Sequence, residues 1–201
     1  MKHCIYIFSF SLGILTLVVS CASFASQIRS RADAGEAEAQ YQLASMYWDG
    51  KGVDRDPREA LKWYQRAADQ GHREAQVRLA ESYERGEGIS QDYVKASRMY
   101  AMAAEGGSPK AEIHLAQLYL MGQGVPQNYA EARKLLERAA SKKDIEGEYL
   151  LGKFYWEGRG MATDRVQAYK WFSLAAAQGH QRAASLRQVV AIEMTRGQVI
   201  E

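Results

Sequence analysis

The stretch GKGVDRDPREALKWYQRAADQGH, residues 50–72, contains the signals that end one helix and begin another. Gly50 can take the left-handed conformation in which many helices end. Asp56 followed by Pro57 is the typical start of a helix, because the carboxylate caps free amides and proline lacks the amide proton that would be wasted there. Glu59 then completes a capping-box pattern. We therefore expect a short loop followed by a second helix.

The same pattern recurs four times at a spacing of 36 residues, without an insertion. A repeat of this length is typical of stacked helical arrays. The positions that keep the spacing are Leu43, Leu79, Leu115 and Leu151; Tyr47, Tyr83, Tyr119 and Tyr155; and the glycine pairs that begin at Gly50, Gly86, Gly122 and Gly158.

Each unit predicts two helices with apolar residues at spacings of three and four, which places those residues on one face. In the first helix of the first unit they are Ala39, Leu43, Met46 and Tyr47. In the second helix they are Ala60, Trp63, Tyr64 and Ala67. Small alanines there let neighbouring helices approach closely, and the aromatic rings fill the remaining space.

The pattern A…LA..Y..G.GV..D..EA..WY..AA..G resembles the Sel1-like repeat, a relative of the tetratricopeptide repeat. The resemblance implies an all-α, right-handed α-solenoid of about four helix-turn-helix repeats with a C-terminal capping helix. The predicted repeats are residues 36–71, 72–107, 108–143 and 144–179. Residues 26–35 are predicted to be a degenerate N-terminal cap, and residues 180–201 a capping helix and tail. The array needs such ends to shield its terminal apolar faces.

The junction between the third and fourth repeats departs from the pattern. Lys143 stands where the other units have glycine, and Gly147 where they have alanine. Glycine inside a helix costs up to about 1 kcal/mol relative to alanine. We therefore expect this junction to be the loosest of the array.

The first 25 residues have the three parts of a secretory signal: Lys2, an uncharged apolar run over residues 5–19, and small residues after it. One interpretation has a signal peptidase cutting after Ala25. The other has a bacterial lipobox ending at Cys21, which would then be lipidated and hold the chain on a membrane. Both predict an exported protein, in the periplasm or secreted, or anchored as a lipoprotein. The two cysteines, Cys4 and Cys21, lie in this leader.

The composition and motifs give little sign of chemistry. A net charge of +2 with no basic tail is not the footprint of a nucleic-acid binder. The Gly-x-Gly pairs follow helices instead of strands, so we predict no nucleotide or other cofactor. No histidine or carboxylate spacing builds a metal site. His114 lies at a variable repeat position and is predicted to be exposed.

Glu81 and Glu84 are the one candidate carboxylate pair for catalysis, three residues apart on a predicted helix. Helical carboxylates are mostly solvated or ion-paired, so we predict that the protein is not an enzyme. A cysteine-rich secreted branch of the resembled family is associated with β-lactam binding or hydrolysis. That branch has a disulfide in each repeat, and this chain lacks those cysteines. An envelope hydrolase acting on a cell-wall or β-lactam substrate is the alternative hypothesis, and the missing cysteines disfavour it.

The strongest candidate site is a set of side chains on the first helices, which the resemblance places on an inner, concave wall. Aromatic and polar residues alternate there, as in peptide-binding surfaces where a few aromatics supply most of the energy. Packing between repeats is the competing explanation for the tyrosines and tryptophans. The candidate residues are Tyr41, Ser45, Trp48, Glu81, Glu84, Gln117, Leu120, Tyr149, Lys153 and Trp156.

The sequence thus predicts an exported scaffold that binds a protein or peptide of unknown identity. Its membrane contact would be limited to the Cys21 anchor. The family resemblance implies a role in bacterial envelope assembly, signalling or host contact, and the residues do not choose among these.

Overall fold

The computed structural model describes residues 15–194, with side chains from residue 24 onward. The start of the predicted signal peptide, the side chain of Cys21 and the tail from residue 195 lie outside the described part. Within residues 15–194 the chain forms ten helices and no strand. They are α1 Leu15–Asp33, α2 Ala37–Asp49, α3 Pro57–Asp69, α4 Arg73–Arg85, α5 Tyr93–Glu105, α6 Pro109–Met121, α7 Tyr129–Ser141, α8 Ile145–Glu157, α9 Arg165–Ala177 and α10 Gln181–Glu193.

The helices α2 to α9 are the predicted repeats, each with a first helix (α2, α4, α6, α8) and a second helix (α3, α5, α7, α9), all of 13 residues. The chain divides into two compact units between Gln70 and Gly71. In the first unit α1 packs on α2 and α2 on α3, and in the second each helix from α4 to α10 packs on the next. The fold is therefore the predicted all-α array of tandem helical repeats.

The second helices begin at the predicted cap, Asp56, and at its equivalents in the other repeats. Asp56, Asp92, Asn128 and Asp164 each accept hydrogen bonds from backbone amides of the first turn. The reciprocal bond of a capping box is not formed, however. The Asp56 amide donates to the Tyr47 carbonyl, and the Glu59 carboxylate pairs with Lys62. The amide of Asp56 thus ties the second helix to the end of the first.

The caps of the first helices use residue types that the sequence did not single out. His72 and His180 accept hydrogen bonds through Nδ1 from the amides of Ala75 and Ala183. Ser108 and Asp144 make the same contact at the equivalent position. The repeated histidine is therefore a helix cap.

A buried polar side chain lies in the first turn of each first helix. In three repeats it meets a side chain that follows the second helix, at 2.8 Å. These pairs close each hairpin at the end opposite its loop. They are Gln40 with Gln70, Glu112 with Lys142, and Glu148 with Gln178.

The irregular third junction is closely packed. Lys143 takes φ 59°, the one positive φ of a non-glycine residue in the described part. A Cβ atom on Gly147 would lie 2.8 Å from the Cβ of Ala139. The glycine therefore permits an unusually close approach of α8 to α7, and the alanine of the other repeats would not fit there. The predicted looseness of this junction stays a prediction, and Lys143 is the residue that supports it.

Both ends of the array replace apolar contact positions by polar side chains. In α1, exposed Gln27 and Arg31 occupy the repeat positions of Trp63 and Ala67, while Ile28 and Ala32 remain buried. The helix runs without a break across residue 25, the predicted end of the signal peptide.

In α10 the corresponding changes are Arg187 and Gln188, at the positions that in α8 are Leu151 and Gly152. At these positions the first and last described helices thus carry polar residues where the interior repeats have apolar residues or glycine, as is expected near the ends of an array. No helix between residues 15 and 194 is both long enough and apolar enough to cross a bilayer.

Candidate protein-binding surface

The candidate site residues surround one position of the second helices. We call it the ring position, and it is occupied by Tyr64, Tyr100, Leu136 and Phe172 in the four repeats. All four side chains are almost completely buried. The ring position therefore sets the environment of the predicted binding residues in each repeat.

In the first repeat, three candidate residues contact Tyr64. The ring centroids of Tyr41 and Trp48 lie 5.7 and 6.4 Å from that of Tyr64. The Ser45 hydroxyl lies 3.0 Å from the Tyr64 phenol oxygen. All three keep part of their surface in solvent. They support the hairpin and remain accessible.

In the second repeat, Glu84 is bound to Tyr100. The phenol donates a 2.6 Å hydrogen bond to Oε2 of Glu84, and the ring of His114 stacks on Tyr100 at 4.9 Å. His114 Nδ1 lies 3.4 Å from the same oxygen, without a hydrogen-bonding alignment. The neighbouring His114 and the Tyr100 hydroxyl hold the pKa of Glu84 below its usual value. The prediction that His114 is exposed was wrong, because its ring packs on Tyr100.

Glu81 is buried and ion-paired. Its carboxylate lies 2.5 Å from Lys110 Nζ and 3.4 Å from Arg78. As a buried ion-pair partner it joins α4 to α6, so it offers little to a partner protein. The pair Glu81 and Glu84 thus has one carboxylate in ion pairs and one bound to a phenol. The lowered pKa of Glu84 favours its ionised form, whereas a general acid has to carry a proton.

In the fourth repeat, Tyr149 and Trp156 pack toward the capping helix. Tyr149 stacks on His180 at 4.3 Å and lies 6.1 Å from Phe172. The Trp156 indole nitrogen lies 3.4 Å from Glu193. Tyr149 therefore has the packing role that competed with binding. Trp156 is fixed at its polar edge and stays partly exposed.

Gln117, Leu120 and Lys153 line an open groove of about 140 Å³ between the third and fourth repeats. Its base includes Leu136, at the ring position, and its lining is mostly apolar. The sequence pointed to three of the lining residues and missed the groove. The signal that could have found it is the ring position itself, where Leu136 stands in a series of aromatic residues.

The edge of the groove carries two cations and one carboxylate. Glu157 lies 3.5 Å from Lys153 and 2.5 Å from Arg159. One carboxylate therefore pairs with two positive side chains, and these three groups together leave a net positive charge at the edge. Met121, which is 60% exposed, adds an apolar side chain beside them.

These features define a tandem helical-repeat protein with partly exposed aromatic and polar side chains on its first helices. The Sel1 repeat family matches four segments, residues 37–72, 73–108, 109–144 and 145–180. The chain belongs to the Sel1 repeat family, a general protein-interaction scaffold. The matched segments begin one residue after the predicted repeat boundaries.

Two solved structures support the family at 30% identity or above. The protective antigen c5321 of uropathogenic Escherichia coli, described as displaying an SLR fold, is 37% identical with a TM-score of 0.76. The alignment covers 79% of this chain but 34% of the antigen, so this chain spans about a third of its length. A Sel1 repeat protein of Oxalobacter formigenes is 32% identical with a TM-score of 0.74, over 82% of this chain and 67% of that one.

A more distant structure shows the fold alone. The immunity protein Pa5087 of Pseudomonas aeruginosa is 22% identical with a TM-score of 0.54, over 82% of this chain and 61% of that one. A comparison with the curated proteins gave no match.

Proposed function

We propose that the protein is an exported, non-catalytic scaffold that binds a protein or peptide partner through the first helices of its repeats. It would act in the bacterial cell envelope or as a secreted interaction factor. Membership of a family that generally serves as an interaction scaffold supports the class of function. The observation that carries it is that Trp48 and Trp156 are fixed in place and still partly exposed.

Fixed aromatic side chains suit binding because little conformational entropy is lost when a partner covers them. Trp48 is held against Tyr64 in the first unit. In the second unit, the indole of Trp156 donates a hydrogen bond to Glu193. Arg165 donates to the same carboxylate at 3.0 Å and keeps it in place. Both tryptophans can therefore contact a partner without first being ordered.

Crosslinking in intact cells followed by pull-down tests the binding function. Trp48→Ala and Trp156→Ala should each lower recovery of the crosslinked partner with little change in melting temperature. Trp171→Ala, which removes the same side chain from a second helix, is the matched control. It should lower the melting temperature, because Trp171 packs against the core, but leave recovery by the folded protein unchanged. Equal recovery with all three variants, or a loss that follows only the melting temperature, would contradict the proposal.

The non-catalytic part is tested with the purified protein. We expect no turnover of nitrocefin or peptidoglycan. Turnover that disappears in Glu81→Gln or Glu84→Gln would overturn this part and favour the envelope hydrolase.

The proposal of export depends on the leader sequence, in which Lys2 precedes an apolar run and then small residues. N-terminal sequencing of the protein from fractionated cells should find Ser26 or a modified Cys21 as the first residue. Palmitate labelling that is lost in Cys21→Ser would select the lipoprotein form. An intact Met1 in a cytoplasmic fraction would refute export.

A further inference from the structure

The groove between the third and fourth repeats occupies the space that an aromatic ring fills elsewhere in the array. Three of the four ring positions carry an aromatic side chain: Tyr64, Tyr100 and Phe172. The exception is Leu136 in the third repeat. Its side chain is shorter than a tyrosine and does not reach the place that the ring of Tyr100 occupies in the second repeat. The groove of about 140 Å³ lies directly over this leucine.

Two of the side chains that line the groove are also less polar than those at the equivalent positions of the second repeat. There, Tyr100 is enclosed by Glu84 on one side and by His114 on the other. The repeat equivalents of these two residues are Leu120 and Leu150, and both line the groove. A polar, filled position has therefore become apolar and open.

The volume matches one large side chain. An apolar cavity of about 150 Å³ accommodates a benzene molecule. A phenylalanine ring or a leucine side chain from another chain could thus take the place of the absent ring. Burying such a side chain is favourable, because it removes apolar surface from water.

The charge at the edge indicates what should flank that side chain. Lys153 and Arg159 share the single carboxylate of Glu157, which leaves a net positive edge. A partner with carboxylates beside its apolar residue would complement this charge, and a basic partner would be repelled.

We propose that the groove binds one phenylalanine-sized apolar side chain of a peptide segment that carries acidic residues on both sides of it. This assignment rests on the scaffold function proposed above and specifies its partner chemistry. Leu136 forms the base, Leu120 and Leu150 form the walls, and Lys153 with Arg159 attracts the acidic flanks.

Three synthetic peptides test the assignment on the full chain by fluorescence anisotropy and methyl NMR. The first has the sequence Gly-Ser-Asp-Phe-Asp-Ser-Gly, the second replaces Phe by Ala, and the third replaces both Asp by Lys. The Phe peptide should bind at least about tenfold more tightly than either of the others, a difference of ~1.4 kcal/mol. It should also shift the methyl resonances of Leu120 and Leu150. No binding of the Phe peptide below about 1 mM, or equal binding of the Phe and Ala peptides, overturns the assignment.

The variant Leu136→Tyr restores the residue type found at the other ring positions and should fill the groove. It is expected to fold and to lower affinity for the Phe peptide at least about tenfold. If it does not fold, Leu120→Glu reproduces the residue found at position 84 and should weaken binding by a similar factor. Unchanged affinity in a folded variant overturns the assignment.

A charge-swapped pair separates the electrostatic part. Lys153→Glu should weaken binding of the Phe peptide and bring its affinity close to that of the Lys-flanked peptide. Lys170→Glu, an exposed site on α9 away from the groove, should change neither. An equal effect of the two substitutions overturns the role of the positive edge.

Failure of this assignment is distinguishable from failure of the scaffold function. A cellular partner recovered equally with the wild type and Leu136→Tyr, but lost with Trp48→Ala, overturns the groove assignment and keeps the scaffold function. Recovery lost with Leu136→Tyr as well supports both.

Discussion

The phenol oxygen of Tyr100 lies 2.6 Å from Oε2 of Glu84 and joins the second helix of one repeat to its first helix. A hydrogen bond to an ionised acceptor is shorter and stronger than one between neutral groups. Burial and the adjacent carboxylate raise the pKa of Tyr100 far above its ordinary value, so the phenol remains a donor.

We expect Tyr100→Phe to lower the free energy of unfolding by about 1.5–3 kcal/mol, because it removes a hydrogen bond to a charged group and leaves the ring in place. Urea denaturation measures the loss. Tyr155→Phe is the control, since its hydroxyl lies 3.3 Å from Glu137 in a less buried place, and it should cost less. Equal stability of Tyr100→Phe and the wild type would show that the bond contributes nothing.

The loss of folding stability at low pH should depend on Glu84. Its pKa is lowered in the folded state, by His114 first and by Tyr100. A depressed carboxyl pKa contributes stability above its unfolded value near 4.5, and that stability is lost as the pH falls through the lower folded pKa. Glu84→Gln should therefore be less stable than the wild type at pH 7 and should lose less stability between about pH 5 and 3. Unfolding at several pH values measures this, with exposed Glu87→Gln as the control that should follow the wild type.

Glu148 and Glu112 occupy the same repeat position, but their carboxylates should affect the stability of the folded protein in opposite ways. Burial raises the pKa of Glu148, so its stabilising form is the protonated one, which is lost as the pH rises through the folded pKa. Glu148→Gln should keep the bond from Gln178 and be at least as stable as the wild type at pH 7.

Glu112 instead holds Arg138 and Lys142, each at 2.8 Å. Glu112→Gln should cost about 1–3 kcal/mol, since two cations lose their acceptor charge. Thermal unfolding compares the two variants. A similar loss in both would refute the distinction.

Lys143 takes a left-handed conformation that costs a residue with a side chain roughly 1–2 kcal/mol. Lys143→Gly should therefore stabilise the chain by about 1 kcal/mol in urea denaturation. Gly179→Lys is the reverse swap at the equivalent position, where a Cβ atom would meet nothing within 4 Å, and it should destabilise by a similar amount. Hydrogen exchange should also be faster in residues 139–152 than in residues 67–80. Equal protection would contradict a loose third junction.

The local signals of the fold could be predicted from the sequence. Asp56 and Asn128 cap their helices because a carboxylate or amide before a helical run needs no distant partner. The 36-residue spacing then fixed the number of repeats. The capping role of His72 was not predicted, because imidazole is not among the preferred capping groups.

The candidate site was only partly predictable, because its contacts cross between helices. Periodicity placed Tyr149 on one face of its helix but could not show that His180 covers it. Glu81 was expected to be solvated or ion-paired, but the sequence could not show that its partner is Lys110, 29 positions later. The groove depends on the length of a single side chain, Leu136. A hydrophobicity pattern treats this leucine like the rings of the other repeats, and only a comparison of residue types at the ring position shows the difference.

The polar residues of the two terminal helices decide how far such an array can extend. With apolar residues at Gln27, Arg31, Arg187 and Gln188, each end would resemble an interior junction, and one molecule could add to the next without limit. An addition that does not close on itself produces fibres. Hydrophilic side chains at these four positions therefore disfavour the end-to-end addition of one molecule to the next.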